Sequence, residues 1–165
     1  MAFDAFLNIQ GIPGDSTDQA HTGWIEVLSF NHGIEQPVTK SASAGGARAG
    51  ERANHGPFVI TKDLDKATCL LERSVCTGAN IPTIELQLCR ATGSKQQYMS
   101  YKMTDCIVTF VRPSGVATGD GALPIEEVGF SYSSITWTYT DTDEKTGASK
   151  GNITSKWDVT TNTGG

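Results

Sequence analysis

The chain has 165 residues and a formal net charge of −5 at pH 7, from 13 basic and 18 acidic side chains. It has no basic cluster, which argues against nucleic acid as the main partner. A hydrophobic content of 38% and a charged content of 19% are typical of a globular protein. The apolar runs are too short to span a bilayer, and the first residues lack the basic start of a cleavable signal peptide. We therefore expect one domain, residues 1–165, with no membrane insertion.

Most of the chain alternates apolar and polar residues, which predicts strands. The predicted strands are 2–12, 24–34, 58–61, 81–90, 96–112, 126–140 and 153–159, and much of the glycine falls between them. The strand at 24–34 is apolar on both faces, which suggests a partner surface. In the strand at 126–140 the apolar parity changes between Phe130 and Ile135, so we expect a bulge or bend near Ser133 and Ser134. The sequence predicts a mainly β protein.

One helix is predicted at about residues 62–77, because only this segment keeps a helical apolar period. The apolar positions on its predicted face are Leu64, Ala67, Leu71 and Val75. Thr61 or Asp63 would cap its start, with Asp65 in the first turn where the helix dipole favours a carboxylate. Gly78 stands where a left-handed residue would end the helix.

The segment 36–56 has no periodicity and is rich in Ser, Ala and Gly. A connection of this length is usually functional or disordered. Two interpretations stay open: a solvent-exposed loop, or a loop that orders on a neighbouring subunit through Arg48, Glu51, Arg52 and His55.

The sequence contains no recognisable catalytic or metal-binding motif. The four cysteines, Cys69, Cys76, Cys89 and Cys106, have no CxxC spacing and are expected to be reduced and mostly buried. No GxSxG, GxGxxG, phosphate-loop or HExxH pattern is present, and the three histidines are scattered. We therefore predict no enzymatic activity, no catalytic residue, no cofactor and no metal.

Several motifs occur together along nearly the whole chain in a familiar order. They are His21 ahead of IEVLSF, the Gly/Ala-rich loop, FxxTKxxDKA at 58–67, CTG at 76–78, the QxYM hairpin, PIE at 124–126, ITWTYT at 135–140 and the final Trp157-Asp158. With these motifs the chain resembles the Hcp (haemolysin-coregulated protein) family, the tube subunit of type VI secretion systems. The pair FxxTKxxDKA and ITWTYT carries the resemblance, since each piece alone is weak.

The resemblance implies a single-domain antiparallel β-barrel with one flanking helix and long loops. It implies hexameric rings that stack into an inner tube, capped by a VgrG-type spike and surrounded by a contractile sheath. The subunit would stay in the bacterial cytoplasm before firing and would then be secreted or enter a target cell, exported with effector proteins that it chaperones in the lumen. The family places the long loop on the adjoining ring, so Arg48, Glu51 and Arg52 become ring-stacking candidates. Leu28 and Asn31 become lumen-facing or cargo-facing candidates.

Two other functions are compatible with the sequence. The first is a secreted binding module, for carbohydrate as an example, with Trp24, Trp137 or Trp157 exposed as a stacking platform. The second is a hydrolase whose catalytic residues are scattered along the chain.

Overall fold

A computed structural model describes residues 2–39, 49–91, 93, 95–119, 121–143 and 145–165. The helix α1 spans Thr68–Thr77, and the strands are β1 (Phe3–Ile9), β2 (Ile25–Val27), β3 (Ser29–Asn31), β4 (Ile34–Glu35), β5 (Val38–Thr39), β6 (Ala49–Gly50), β7 (Asn54–His55), β8 (Phe58–Asp63), β9 (Ile81–Arg90), β10 (Gln97–Ser114), β11 (Ile125–Ser131), β12 (Ser134–Thr142), β13 (Ser149–Asp158) and β14 (Thr163–Gly164). Every ladder among these strands is antiparallel. The fold is therefore the predicted mainly β, antiparallel class with one helix.

The strand pairing follows an almost complete circuit around the core. It runs from β2 through β1, β9 and β10 to β11, β8 and β3. β2 and β3 are consecutive pieces of one segment that changes partner at Leu28, whose N–H donates to the carbonyl of Thr61 at 2.8 Å. The predicted strand 24–34 is thus divided because each half pairs with a different side of the barrel. β12, β13 and β14 continue outward from β10, beyond this circuit.

The core lies inside this circuit and is built by the alternate residues of its strands. β9 has the predicted bounds, and its inward residues Ile84, Leu86 and Leu88 are buried as the alternation predicts. The parity change in the predicted strand 126–140 is a full break, since β11 ends at Ser131 and β12 begins at Ser134.

The helix is shorter than predicted. Residues 61–63 belong to β8, so neither Thr61 nor Asp63 caps the helix. Instead Asp65 Oδ1 accepts a hydrogen bond from the N–H of Ala67 at 2.9 Å, immediately before the first helical residue. The helix ends as predicted at Gly78, which adopts the left-handed conformation with φ 63°.

The predicted apolar face of the helix is correct in its second half. Ala67 and Leu71 are fully buried and Val75 packs against the core, whereas Leu64 precedes the helix and is exposed. The prediction for Leu64 was wrong because β8 uses the residues that would have formed the first helical turn.

The prediction of buried thiols holds for half of the cysteines. All four are free; Cys89 and Cys106 are buried, but the two helix thiols, Cys69 and Cys76, are exposed. Within the described residues the helix is neither long nor apolar enough to cross a membrane.

Candidate functional site

The structure brings a cysteine, a histidine and an aspartate together at His21. Its Nδ1 lies 2.7 Å from Asp18 Oδ1 and its Nε2 lies 2.9 Å from Gln87 Oε1. Cys89 Sγ is 3.9 Å from the same Nε2. The histidine and the thiol are both buried, and burial raises the pKa of Cys89 to about 11. A thiol that stays protonated and shielded at neutral pH is a poor nucleophile, so this cluster fits a structural role.

Stacking reinforces that interpretation, because the His21 ring lies parallel to the Phe6 ring with centroids 4.2 Å apart. Lys95 joins the cluster, with its ammonium 2.9 Å from Asp18 Oδ2. The hydrogen bond from His21, together with Lys95, lowers the pKa of Asp18 to about 2. These contacts fix the loop before β2 onto β1 and β9. Within the described part of the chain, no group of three or more His, Cys, Asp or Glu side chains could hold a metal ion.

A buried ion-pair cluster lies between β8, α1 and β11, and the sequence analysis missed it. The ammonium of Lys62 lies 2.6 Å from Glu126 Oε1 and 2.7 Å from Asp65 Oδ1. The side chains of Lys62 and Glu126 are both 0% exposed, and the Thr68 hydroxyl donates to Glu126 Oε1 at 2.9 Å. A signal was available, since Lys62 follows Phe58 and Ile60 at inward-facing positions of β8. The FxxTKxxDKA motif thus contributes two members of this cluster, Lys62 and Asp65.

The lumen-facing candidate Asn31 lies on the outer face of the sheet formed by β3, β8, β11 and β10, whereas Leu28 lies between β2 and β3. Leu28 is 55% exposed and Asn31 is also exposed. Asn31 begins a cross-strand row that continues through Val59 and Gly129 to Phe110. A Cβ at Gly129 would lie 2.2 Å from the Phe110 ring, so only a glycine at this position leaves room for that ring. Asn31 therefore belongs to a continuous outer wall, and Leu28 lines a separate surface pocket with residues of β1 and β2.

A second surface is the uncovered apolar face of β12 and β13. Tyr139 pairs with Ile153 across these strands, and the two side chains are 43% and 71% exposed. Further along this face lie Trp137, which pairs with Ser155, and Trp157; both tryptophans are half-buried. Both strands extend past the barrel, so nothing in the described monomer covers the outer end of this face. β14 pairs with β13 at Trp157 and Asp158, and Gly165 exchanges backbone hydrogen bonds with Lys156, which leaves the edge of β13 before Lys156 unpaired within the described residues.

The ring-stacking candidates fall on the segment 36–56, whose described part forms a hairpin base. Two short ladders, β4 with β7 and β5 with β6, bring its two sides together, so this part of the segment is not the irregular loop predicted. Glu51 and Arg52 are exposed on the returning side, and Arg48 lies outside the described residues. The Arg52 guanidinium donates to the carbonyl of Val159, and the N–H of Glu51 donates to the carbonyl of Pro37 at 3.2 Å.

A groove of about 470 Å³ separates the hairpin base from the extended sheet. Glu51 and His55 line one side of it, and Trp137 and Trp157 line the other. The stacking candidates are therefore next to the uncovered apolar face. The two sides of the groove are 80 or more residues apart in the sequence; the hydrogen-bonded pair Arg52 and Val159, for example, is separated by 107 residues.

Comparisons with known proteins agree on one family. The family model described as "Type VI secretion system effector, Hcp" matches residues 6–139. The chain is 30% identical over 132 residues to the major exported protein of Pseudomonas aeruginosa, covering 76% of this chain and 74% of that protein.

Solved structures are similar over almost the full length. One, described as a type six secretion system protein, is 33% identical with a TM-score of 0.92, covering 99% of this chain and 100% of the other. Hcp1 from Salmonella typhimurium is 32% identical with a TM-score of 0.80, covering 99% of each chain. Together with the mainly β fold and the flanking helix α1, these matches show that the chain belongs to the Hcp family of type VI secretion system proteins.

Proposed function

We propose that this protein is a structural, non-enzymatic subunit of the type VI secretion inner tube, assembling into hexameric rings that stack. Family membership supports a tube role, and the uncovered face of β12 and β13 is the observation that favours assembly. Apolar side chains as exposed as Ile153 and Tyr139, beside an unpaired strand edge, are typical of surfaces that bind a partner. A second copy of the chain is the occupant that a ring requires.

Three surfaces have different roles in the proposed tube. The uncovered face of β12 and β13 contacts the neighbouring subunit within a ring. The hairpin base, with Glu51 and Arg52, contacts the adjoining ring, as does Arg48. The outer wall with Asn31, together with Leu28, faces the lumen and the effector proteins that travel in it. A VgrG-type spike and a contractile sheath complete the assembly, and the subunit moves from the cytoplasm to the exterior when the system fires.

The ring interface is tested by placing a charge on the uncovered face. Ile153→Asp should lower the solution mass, measured by light scattering behind a sizing column, from that of a hexamer towards that of a monomer. The reason is that burying an unpaired carboxylate in an apolar interface costs several kcal/mol. Lys150→Asp is a matched control on the same strand, since its exposed ammonium forms a surface ion pair with Asp143 at 3.5 Å. A wild-type protein that stays monomeric at all concentrations would refute the ring proposal.

The stacking role of the hairpin base has its own test. Arg52→Glu should leave the mass of single rings unchanged and reduce the sedimentation of stacked rings. Dissociation of the rings themselves would instead place Arg52 within the ring interface.

The alternative of a binding module depends on exposed tryptophans. Trp24, Trp137 and Trp157 are all partly buried, so none is the open platform that this alternative requires. Solvent quenching of tryptophan fluorescence distinguishes a binding module from a tube subunit. The fluorescence of a tryptophan that stacks on a sugar ring would be quenched in the assembled protein, and added sugar would protect it.

A further inference from the structure

Two histidines share a single tyrosine hydroxyl at the foot of the hairpin base. His32 Nε2 lies 2.7 Å from Tyr132 Oη, and His55 Nδ1 lies 2.8 Å from the same oxygen. Tyr132 is buried, and both imidazoles are half-buried. His32 also packs on Phe58, with ring centroids 4.9 Å apart. The three side chains are far apart in sequence, so this cluster is created by the fold.

The cluster connects three parts of the structure. His32 follows β3, His55 lies in β7 and pairs with Ile34 of β4, and Tyr132 occupies the break between β11 and β12. Each of the two ladders of the hairpin base contains only two residue pairs. With so few backbone pairs, side-chain contacts to the barrel contribute much of what holds this element in position.

Proton counting shows that the arrangement requires at least one neutral imidazole. The hydroxyl of Tyr132 has one proton, so it donates to one imidazole and accepts an N–H from the other. If the accepting imidazole becomes protonated, it turns into a second donor aimed at the same oxygen. The buried hydroxyl proton then loses its acceptor, and two cations face one oxygen when both rings are charged. Such a state costs free energy because like charges repel and the lost hydrogen bond is buried.

The surroundings do not offset this cost. Burial lowers the pKa of His32, and the nearby His55 lowers it further; burial also lowers the pKa of His55. Burial raises the pKa of Tyr132, so the hydroxyl stays protonated at neutral pH. The other ionisable groups at this position are Cys106 behind the tyrosine, whose thiol is kept neutral by burial, with Glu51 and Arg52 on the exposed hairpin side.

We propose that His32, Tyr132 and His55 form a proton-sensitive latch that holds the hairpin base against the barrel at neutral pH and releases it on acidification. Its effect on ring stacking rests on the proposed function, because the hairpin base carries the stacking candidates. The latch itself is a property of the single chain. Acidification would then loosen stacked rings without breaking the barrel.

The pH window follows from the direction of the pKa changes. In the closed hairpin both histidines have a pKa below 6.5, whereas in the open hairpin they return to about 6.5. The open state therefore binds more protons, and the contribution of the latch is complete above about pH 6.5 and falls as the pH drops below it. One pH unit below that value, each imidazole favours opening by up to about tenfold.

The test is hydrogen exchange of the full-length protein at about pH 7.5 and about pH 5.5, which span the histidine range. Labelling times are scaled for the intrinsic exchange rate, and the amides of β4 and β7 are followed. We expect their protection to fall at the lower pH, while amides of β9, paired on both sides, stay protected. Equal protection of β4 and β7 at both pH values would overturn the proposal.

Two variants separate titration from simple loss of contact. His32→Gln combined with His55→Asn keeps polar side chains that can hydrogen-bond near the hydroxyl but cannot be protonated, so β4 and β7 should stay protected at both pH values. Tyr132→Phe removes the shared oxygen and should expose them at both. A double variant that keeps the wild-type pH response would also overturn the latch. Light scattering at each pH reports separately on assembly, so a failed ring proposal is distinguishable from a failed latch.

Discussion

The buried ion-pair cluster provides the sharpest test of the packing described above. Replacing Lys62 by methionine keeps most of the side-chain volume but removes the charge that faces Glu126. The carboxylate of Glu126 would then keep only the Thr68 hydroxyl as partner, and its Oε2 already has no hydrogen-bond partner among the described residues. Breaking one side of a buried ion pair costs about 3–5 kcal/mol, because the remaining charge stays in a medium of low polarity. We expect Lys62→Met to reduce the free energy of unfolding by that amount.

Two further variants make the reasoning specific to charge. Glu126→Gln should cost less, roughly 1–3 kcal/mol, because Lys62 keeps Asp65 and the carbonyl of Asp63 as partners. Combining Lys62→Met with Glu126→Leu removes both charges and should recover most of the loss, since an apolar pair of similar volume is often neutral or stabilising.

The assay is equilibrium denaturation at one protein concentration, with the solution mass checked for each variant because ring assembly adds to apparent stability. The matched control is Glu127→Gln at the neighbouring position. Its carboxylate lies 3.7 Å from Arg112 at the surface, so the change should cost under ~1 kcal/mol. A loss under ~1 kcal/mol for Lys62→Met, or a double variant as unstable as the single one, would refute the account of the cluster.

Three other predictions concern the helix, the thiols and the His21 cluster. Leu71→Ala should cost about 2–5 kcal/mol in denaturation, because loss of the fully buried side chain leaves a cavity between α1 and the sheet; a loss under ~1 kcal/mol would show that this face of α1 does not pack tightly on the sheet. An aromatic disulfide reagent at neutral pH should react with the two helix thiols at once and with Cys89 and Cys106 only after denaturation, since burial raises their pKa values to about 11 and about 12. The lowered pKa of Asp18 stabilises the fold above pH 3.8, and this contribution is lost as the pH falls from 3.8 towards about 2. Asp18→Asn should therefore lose less stability than wild type over this pH range. Identical acid titrations of both proteins would contradict this prediction.

The family resemblance identified some residues of the outer wall and of the hairpin base, but not all of the residues that form the proposed surfaces. The resemblance named Asn31 and Arg52, and the structure places each on an exposed surface, but their roles stay predictions. It named neither Phe110, which continues the row from Asn31, nor Ile153, whose exposure depends on how far β13 runs past the barrel. Exposure of that kind depends on the ends of strands, which alternation locates poorly.

The sequence by itself determined the features that depend on local pattern. Alternation located β9 and its inward residues, the parity change located the break between β11 and β12, and Gly78 marked the end of the helix. Each of these is decided within a few residues, by side-chain direction or by the backbone freedom of glycine.

Only the tertiary structure decided the features that depend on distant partners. The helix begins at Thr68 because β8 pairs with β11 up to Asp63, and Lys62 is buried because that pairing places Glu126 beside it. His32 and Tyr132 meet across a separation of 100 residues. The local pattern places Lys62 on the inward side of β8 but does not specify its partners. The reason is that burial of a charge, or the sharing of one hydroxyl, changes the free energy only after the strands have paired.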